Sequence, residues 1–163
     1  TLCETKGGCM LDDCRGAVAA VVERFGAGAF VGIHTHNDPG LAVANTLVAV
    51  QAGARHVQGV LLGFGERTGN ANLSTIIADL QLKMGYSCIP AENLPLLTPL
   101  CKRVAEITNI PLEPGMPYVG QNAFAHKAGM HIDAVLKNPS AYEHTSPDSV
   151  GNERVFLMSE VAW

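Results

Sequence analysis

Two histidines at alternate positions, His34 and His36, end a short apolar run and are followed by Asn37 and Asp38. Side chains at i and i+2 point to the same side of an extended strand, whereas on a helix they would lie roughly 200° apart. An imidazole pair at a strand end is therefore a candidate half of a metal site. Imidazole suits zinc, iron, nickel or copper, and carboxylate or water co-ligands extend the choice to manganese or magnesium. Spacing alone leaves open the alternative of a solvated His-x-His loop.

Length, composition and charge limit the classes of protein to which this chain can belong. The chain has 163 residues, of which 47% are hydrophobic, so it can bury a core of single-domain size. A net charge of −4 gives no electrostatic case for nucleic-acid or anionic-membrane binding. The sequence has no apolar run of about 18 residues and opens with no targeting segment, so we expect a soluble, cytoplasmic protein. Its five cysteines lack CxxC spacing, which predicts reduced packing thiols rather than disulfides or a zinc ribbon.

Helical and strand periods alternate over the first two-thirds of the chain, which is typical of βα units and a parallel sheet. The predicted helices cover residues 14–25, 38–52 and 71–84, and predicted strands cover residues 29–34 and 57–62. Asp38 is expected to cap the second helix, with Pro39 in its first turn. Three βα units are too few to close a barrel, which needs about eight strands. We therefore predict an α/β fold that is the C-terminal portion of a (β/α)8 TIM barrel, followed by a small, mainly helical subdomain.

The organisation changes where prolines become frequent, after residue 88. A helix is predicted near residues 97–107, and residues 123–138 are helix-like but rich in histidine and glycine. The predicted domains are the last βα units of the barrel (1–88), a helical linker (89–118) and a truncated post-barrel subdomain (119–163). Because the chain opens without methionine and closes on apolar residues, we expect it to be part of a longer protein.

Each predicted strand ends in residues that could do chemistry, and α/β barrels place reactive groups at the carboxyl ends of their strands. These segments are ETKGG at residues 4–8, HTHND at residues 34–38 and GERTGN at residues 65–70. Glycines allow a close backbone approach, and Asn70 begins a helix whose amides favour an anion or a carbonyl oxygen. An ordinary strand-to-helix turn capped by Asn70 is the alternative.

Three ordered motifs make the chain resemble the family of α-isopropylmalate, homocitrate and citramalate synthases. They are HTHNDPGLAVAN at residues 34–45, GFGERTGN at residues 63–70 and NAFAHKAGMHID at residues 122–133. The resemblance covers nearly the whole chain. Residues 2–8, 80–85, 142–144 and 150–152 resemble the citramalate-forming branch most.

The resemblance implies an acyltransferase that condenses acetyl-CoA with a 2-oxo acid and hydrolyses the thioester. Pyruvate, giving citramalate, is the favoured oxo acid, and 2-isopropylmalate or homocitrate formation is the alternative. This chemistry needs a divalent metal (Mn, Mg or Zn) to polarise the ketone and a base to take a proton from the acetyl methyl group. The resemblance also implies a homodimer in which the subdomain reaches over the neighbouring subunit's active site. No nucleic-acid or membrane partner is expected.

The resemblance also implies roles for particular residues at the barrel mouth. The implied metal ligands are His34, His36 and Asn70, the last as a weak or outer ligand. Thr5 and Glu66 are implied to bind substrate, with the Thr5 hydroxyl bonding the carboxylate of the oxo acid. A structural ion pair between Glu66 and Arg67 is the favoured alternative for that segment, since adjacent charges are common at strand ends.

The post-barrel subdomain is implied to supply acid–base groups. His131, oriented by Asp133, has this role, and Tyr142 supports it. His126 is interpreted as structural, and His56 and His144 as surface residues. The first-strand carboxylate ligand of the family and its neighbouring arginine have no counterpart in this chain, which leaves an open metal site. A hydroxymethylglutaryl-CoA lyase-like enzyme and an inactive, truncated metal-binding fragment are the remaining alternatives.

Overall fold

The computed structural model describes residues 1–26 and 28–157. The chain forms two compact units, Thr1–Leu80 (unit 1) and Gln81–Trp163 (unit 2). The domain boundaries expected at 88/89 and 118/119 stay a prediction beside this division. Within the two described ranges, none of the helices has both the length and the apolar character that a bilayer crossing requires.

Unit 1 alternates strands with helices along a parallel sheet. Its elements are β1 (Leu2–Glu4), α1 (Leu11–Phe25), β2 (Gly32–Thr35), α2 (Ala42–Gln51), β3 (His56–Gln58) and α3 (Leu73–Ala78). The strands lie in the order β1-β2-β3 with parallel pairing, and His34 pairs with Cys3 on one side and Gln58 on the other. Parallel strands of this kind present their carboxyl ends, and the loops that follow them, at one edge of the sheet.

The core of unit 1 lies between the sheet and its helices. Its buried residues are Cys14, Val18, Val31, Ile33, Ala49 and Ala54. The Thr35 hydroxyl, also buried, donates to the carbonyl of Ala42 on α2 at 2.9 Å. Side chains alternate between the two faces of a strand. Ile33 and Thr35 face the helices, so His34 lies on the opposite face, and His36 lies on the same face as His34.

Helix α1 begins earlier than the sequence pattern predicts. The Met10 amide donates to the carboxylate of Asp13 at 3.1 Å, which satisfies one of the free donors of the first turn. The helix therefore begins at Leu11 rather than at residue 14. It ends before Gly26, whose φ of 77° is a conformation that glycine adopts without steric cost.

The prediction that Asp38 caps α2 is wrong. The chain first makes a turn in which the Gly40 amide donates to the Asn37 carbonyl at 2.9 Å, so α2 begins only at Ala42. The side-chain oxygen of Asn37 accepts from the Ala42 amide at 3.2 Å and so takes the capping role. The Asp38 carboxylate bonds to Arg67 instead.

The other element boundaries of unit 1 are set by local turns. β2 begins at Gly32 rather than at residue 29, and β3 ends at Gln58 because the chain enters a 3-10 turn at Leu61–Gly63. The Asn72 side chain caps α3 by accepting from the Ser74 amide at 3.0 Å. Regular α-helix ends at Ala78 and a wider π-type turn, Asp79–Lys83, follows, so the continuous α-helix predicted to residue 84 is wrong.

Unit 2 is mainly helical. Its elements are α4 (Leu97–Thr108), β4 (Ala125–His126), α5 (Gly129–Lys137) and β5 (Val155–Phe156), joined by short 3-10 turns. The helix predicted near residues 97–107 is confirmed. The helix predicted over 123–138 is wrong in its first part, where β4 pairs with β5 in parallel. This pairing depends on residues about 30 positions away, which local periodicity cannot detect.

Candidate metal centre and acid–base pair

The loops after β2 and β3 are held together by backbone hydrogen bonds. The Asn37 amide donates to the Gly69 carbonyl at 2.9 Å, and the Ala71 amide donates to the Thr35 carbonyl at 3.1 Å. Between these bonds, His36 and Asn70 form an isolated antiparallel bridge. The tertiary structure thus places two of the predicted metal ligands side by side.

The two imidazoles lie together on one side of the strand end. The ring centroids of His34 and His36 are 5.0 Å apart, with the rings inclined at 68°. Nδ1 of His36 lies 3.0 Å from the carbonyl oxygen of Glu4. Because a carbonyl can only accept, Nδ1 carries a proton, and in the neutral imidazole it is then Nε2 that has the lone pair. In metal-binding histidines, a hydrogen bond from the ring nitrogen that does not bind the metal fixes the tautomer in this way.

The side-chain amide of Asn70 has one satisfied and one unsatisfied end. Its nitrogen donates to the Phe64 carbonyl at 3.0 Å. Its oxygen is buried and has no hydrogen-bond partner in the described part of the chain. A Cβ at Gly65 would overlap the amide nitrogen, so glycine there allows the loop to close on Asn70. A buried acceptor without a donor is costly unless another group satisfies it.

These observations test whether a cation fits. Among residues 1–26 and 28–157, no group of three or more His, Cys, Asp and Glu side chains could hold a metal ion. The candidate ligands at the strand ends are instead the imidazoles of His34 and His36 and the amide oxygen of Asn70. This oxygen is the one that lacks a hydrogen-bond partner among the described residues. Such a set fits an open site in which substrate or water supplies the other ligands. The assignment of His34, His36 and Asn70 as ligands stays a prediction.

Arg67 joins all three strand-end loops. Its guanidinium makes a bidentate pair with Asp38, Nε–Oδ1 at 2.7 Å and Nη2–Oδ2 at 2.8 Å, and Nη2 also donates to the Thr5 carbonyl at 3.1 Å. The hydrogen bonds from Arg67 lower the pKa of Asp38 below its ordinary range. Glu66 lies 4.0 Å from Arg67 with its side chain 89% exposed. The main partner of Arg67 is therefore Asp38, where the sequence had favoured Glu66.

The loop after β1 is held by Glu4. Its Oε1 accepts from the amides of Gly8 at 2.8 Å and Cys9 at 3.4 Å. Burial, and next the Glu4 carboxylate, raise the pKa of the Cys9 thiol, so Cys9 stays a neutral thiol. Thr5 is exposed at this loop, as Glu66 is at its own, and substrate binding by both stays a prediction.

The residues predicted to act in acid–base chemistry lie in unit 2. The rings of His131 and Tyr142 are 4.4 Å apart between centroids, so the structure brings this predicted pair into contact. Asp133 instead accepts a hydrogen bond from Lys137 at 2.7 Å, one helical turn further along α5. Residues two apart on a helix project roughly 200° from one another. The role of Asp133 in orienting His131 therefore has no contact to support it among the described residues, and it stays a prediction.

A buried charge cluster next to Tyr142 was missed by sequence reasoning. The Glu143 side chain is only 3% exposed, and its two oxygens accept from Nε and Nη2 of Arg154 at 2.6 and 2.7 Å. Nε2 of His126 lies 3.2 Å from the same carboxylate. The hydrogen bonds from Arg154 lower the pKa of Glu143 below its ordinary range. These partners are 11 and 17 residues from Glu143, so no short motif could reveal them.

The two remaining histidines lie outside these groups. His56 and His144 are exposed, in agreement with their interpretation as surface residues. The His144 ring also packs edge-on against Tyr118, with centroids 5.1 Å apart.

The family of the chain follows from comparison with known proteins. A family model described as HMGL-like matches residues 1–95, and one described as homocitrate synthase post-HMGL domain-like matches residues 118–162. The chain belongs to the HMGL-like family. Two of the proteins it is similar to are (R)-citramalate synthases. That of Aquifex aeolicus is 55% identical over 161 residues, which cover 99% of this chain and 30% of that protein. That of Sulfolobus acidocaldarius is 47% identical, with 99% of this chain and 31% of that protein covered.

A 2-isopropylmalate synthase of Sulfolobus acidocaldarius is also similar, at 44% identity over 76% of this chain and 32% of that protein. The chain thus spans about a third of the length of these curated relatives. The solved structure of a Bacillus subtilis HMG-CoA lyase matches with a TM-score of 0.57 and 26% identity, covering 68% of this chain and 38% of that one. Such lyases are TIM-barrel proteins, and the predicted α/β fold, part of a TIM barrel followed by a small helical subdomain, is confirmed.

Proposed function

We propose that this chain contributes to an acyltransferase that condenses acetyl-CoA with a 2-oxo acid, with pyruvate as the preferred acid and citramalate as product, in branched-chain amino-acid biosynthesis. The observation that carries the proposal is the imidazole pair beside the orphaned amide oxygen of Asn70. It is supported by 55% identity, over 99% of the chain, to an (R)-citramalate synthase.

The strand-end loops of unit 1 would hold a divalent cation such as Mn, Mg or Zn. His34 and His36 are the proposed main ligands, with Asn70 as a weaker one. A bound cation of this kind polarises a ketone and neutralises the carboxylate next to it. The bond from His36 Nδ1 to the Glu4 carbonyl selects the tautomer of the neutral ring in which Nε2 is the nitrogen that can coordinate.

Thr5 and Glu66 are proposed to bind the oxo acid. The Thr5 hydroxyl would donate to the substrate carboxylate, and its backbone is held by the bond from Arg67 to its carbonyl oxygen. The Glu66 carboxylate is 89% exposed and lies 4.0 Å from Arg67, too far for a hydrogen bond between them. It is therefore available to accept a hydrogen bond from a bound molecule.

The His131–Tyr142 pair is proposed to move protons during condensation. An imidazole titrates near neutral pH and can take a proton from a carbon acid or return it to an oxygen. The Tyr142 ring, packed against it, limits the orientations that the imidazole can adopt. We also propose a homodimer in which this subdomain serves the neighbouring subunit, which sedimentation or light scattering of the full-length protein would test.

The reaction is tested by thiol release from acetyl-CoA in the full-length protein, with pyruvate and a series of bulkier 2-oxo acids. We expect pyruvate to give the highest kcat/KM and the release to require added divalent metal. A preference for a branched or a dicarboxylic oxo acid would favour the 2-isopropylmalate or homocitrate reaction, which the similarity to a 2-isopropylmalate synthase and the second family model support. Absence of thiol release with every oxo acid would contradict the proposal.

The role of His131 is tested by His131→Ala. We expect kcat to fall by about 100-fold, within the usual contribution of a general acid or base, while Mn²⁺ affinity stays unchanged. His56→Ala, which removes an exposed histidine, is the control. Equal losses of turnover and Mn²⁺ affinity would instead make His131 a ligand or a determinant of the fold.

A further inference from the structure

The cluster of Glu143, Arg154 and His126 joins three separate parts of unit 2. His126 belongs to β4, Arg154 immediately precedes β5, and Glu143 follows the 3-10 turn at Pro139–Ala141. Backbone bonds already pair the two strands, since the Val155 amide donates to the Phe124 carbonyl at 3.1 Å. The Glu143 side chain fastens the segment after α5 to this strand pair.

Tyr142 is the residue immediately before Glu143, and the two side chains differ strongly in burial. The Tyr142 residue is 50% exposed and packs on the His131 ring, whereas the Glu143 carboxylate is almost fully buried with both oxygens bonded. A partly exposed aromatic side chain is not held in place by burial. Its backbone is held one residue away by a two-point ion pair.

We infer that Glu143 is a positioning residue, whose bidentate pair with Arg154 holds Tyr142 against His131. This inference rests on the proposed function of that pair. The planar guanidinium and carboxylate meet through two parallel bonds, which fix orientation as well as distance. His126 adds a third bond to the same carboxylate, so the segment cannot pivot about one contact.

The alternative is that the cluster only stabilises the fold. A purely structural carboxylate would affect the unfolding midpoint and leave the geometry of the remaining folded protein unchanged. A positioning carboxylate would affect the His131–Tyr142 contact and turnover in protein that is still folded. The two roles are therefore distinguished by turnover and by the His131–Tyr142 contact in a folded variant of Glu143.

The test is Glu143→Gln in the full-length protein, compared with Glu106→Gln. Glu106 also pairs with an arginine, Arg103, at 2.9 Å in the same unit, but its side chain is 65% exposed. We expect Glu143→Gln to lower kcat by about 10- to 100-fold at unchanged KM for the oxo acid, since small displacements of a catalytic group have effects of this size. Glu106→Gln should match the wild type.

A second readout does not depend on turnover. In protein labelled with ¹⁵N-histidine, the His131 ring protons should carry a ring-current shift from Tyr142, identified by its loss in Tyr142→Leu. We expect this shift to shrink in Glu143→Gln and to persist in Glu106→Gln. Arg154→Lys, which keeps the charge but loses the planar fork, should give an intermediate shift and kcat.

A folded Glu143→Gln protein with the wild-type shift and kcat would overturn the inference. Failure of both Glu143→Gln and Arg154→Lys to fold would also overturn it, by making the cluster a requirement of the fold. If the wild type condenses none of the oxo acids, the proposed function fails, while the ring-current comparison still decides whether Glu143 positions Tyr142.

Discussion

At the scale of single residues, the strand-end site depends on which atoms are already bonded. Nδ1 of His36 is engaged by the Glu4 carbonyl, and the amide nitrogen of Asn70 is engaged by the Phe64 carbonyl. What remains at these two residues is Nε2 of His36 and the buried amide oxygen of Asn70, which has no hydrogen-bond partner among the described residues. The loops thus leave electron-pair donors available, which is the requirement for a cation site.

Replacement of His36 by alanine tests this site directly. We expect His36→Ala in the full-length protein to abolish condensation and to weaken Mn²⁺ binding, measured by titration calorimetry, because one of two imidazole ligands is lost. His56→Ala removes an exposed histidine from β3 of the same unit and should leave both properties unchanged. Condensation at the wild-type rate in His36→Ala would refute the assignment.

Gly65 offers a second test that leaves every proposed ligand in place. A Cβ there would overlap the side-chain nitrogen of Asn70, so Gly65→Ala must displace the amide and its free oxygen. We expect Mn²⁺ affinity to fall by about tenfold, the lower end of the effect of supporting residues in metal sites.

The matched control for Gly65→Ala is Gly16→Ala on α1, where an added Cβ meets nothing within 4 Å. This change should leave Mn²⁺ affinity unaltered and raise stability by up to about 1 kcal/mol, since alanine is the better helix former. Unchanged Mn²⁺ affinity in Gly65→Ala would show that Asn70 takes no part in binding.

At the scale of elements, the decisive contact is the one between the loops after β2 and β3. The sequence predicted that all three strand ends would carry chemistry, because such residues follow each apolar run. It assigned Asp38 to a helix cap and Arg67 to Glu66, since those are the neighbours in sequence. In the fold, these loops lie side by side. The carboxylate closest to Arg67 is that of Asp38, in the loop after β2, and not that of Glu66.

The ion pair between Arg67 and Asp38 acts as a clamp between the loops after β2 and β3, and Asp38→Asn tests it. Loss of the charge on Asp38 weakens both bonds from Arg67, so we expect Mn²⁺ affinity and kcat/KM to fall by about tenfold, as for other supporting residues. Glu23→Gln, an exposed carboxylate on α1, is the control and should match the wild type in both measurements.

The pH dependence of the clamp follows from the direction of the pKa shift. Arg67 lowers the pKa of Asp38, so the pair is fully formed above the ordinary aspartate pKa of about 4 and is lost as pH falls through the lowered value. The difference in Mn²⁺ affinity between wild type and Asp38→Asn should therefore be the same at pH 7 and pH 5. A difference that disappears between these values would contradict the clamp.

At the scale of the whole molecule, each unit fixes the side chains of its proposed site in a different way. Unit 1 uses the edge of a parallel sheet, where backbone pairing and the Arg67 clamp bring three loops together. In the described part of unit 2 the sheet has two strands, and a buried ion pair adds to it. Small units bury less apolar surface, so buried polar contacts contribute more of their order.

Glu143 gives unit 2 a predicted pH dependence of stability. At pH 7, Glu143→Gln should lower the free energy of unfolding by about 2 kcal/mol, the usual value for a charged hydrogen-bonded group. Because Arg154 lowers the pKa of Glu143, this contribution is present above the ordinary glutamate pKa of about 4.3 and is lost as pH falls through the lowered pKa. Wild type and variant should therefore converge as pH falls below the ordinary glutamate pKa.

Urea unfolding of the full-length protein at pH 7, 5 and 3 measures this difference. Glu106→Gln, in which an exposed pair is removed, should differ from the wild type by less than about 0.5 kcal/mol at each pH. A difference between wild type and Glu143→Gln that is the same at pH 3 and pH 7 would show that the ionised carboxylate is not what stabilises unit 2.

The sequence by itself determined the alternation of elements in unit 1, the position of His34 and His36 on one face of a strand end, and the family. These depend on local periodicity and on motifs whose members lie within a dozen residues of each other. Only the tertiary structure decided the partner of Arg67, the pairing of β4 with β5, the free oxygen of Asn70 and the burial of Glu143. The Arg67 and Glu143 ion pairs and the β4–β5 pairing join residues at least 11 positions apart. Hydrogen bonds and ion pairs act over a few ångströms in space, whatever the separation in sequence.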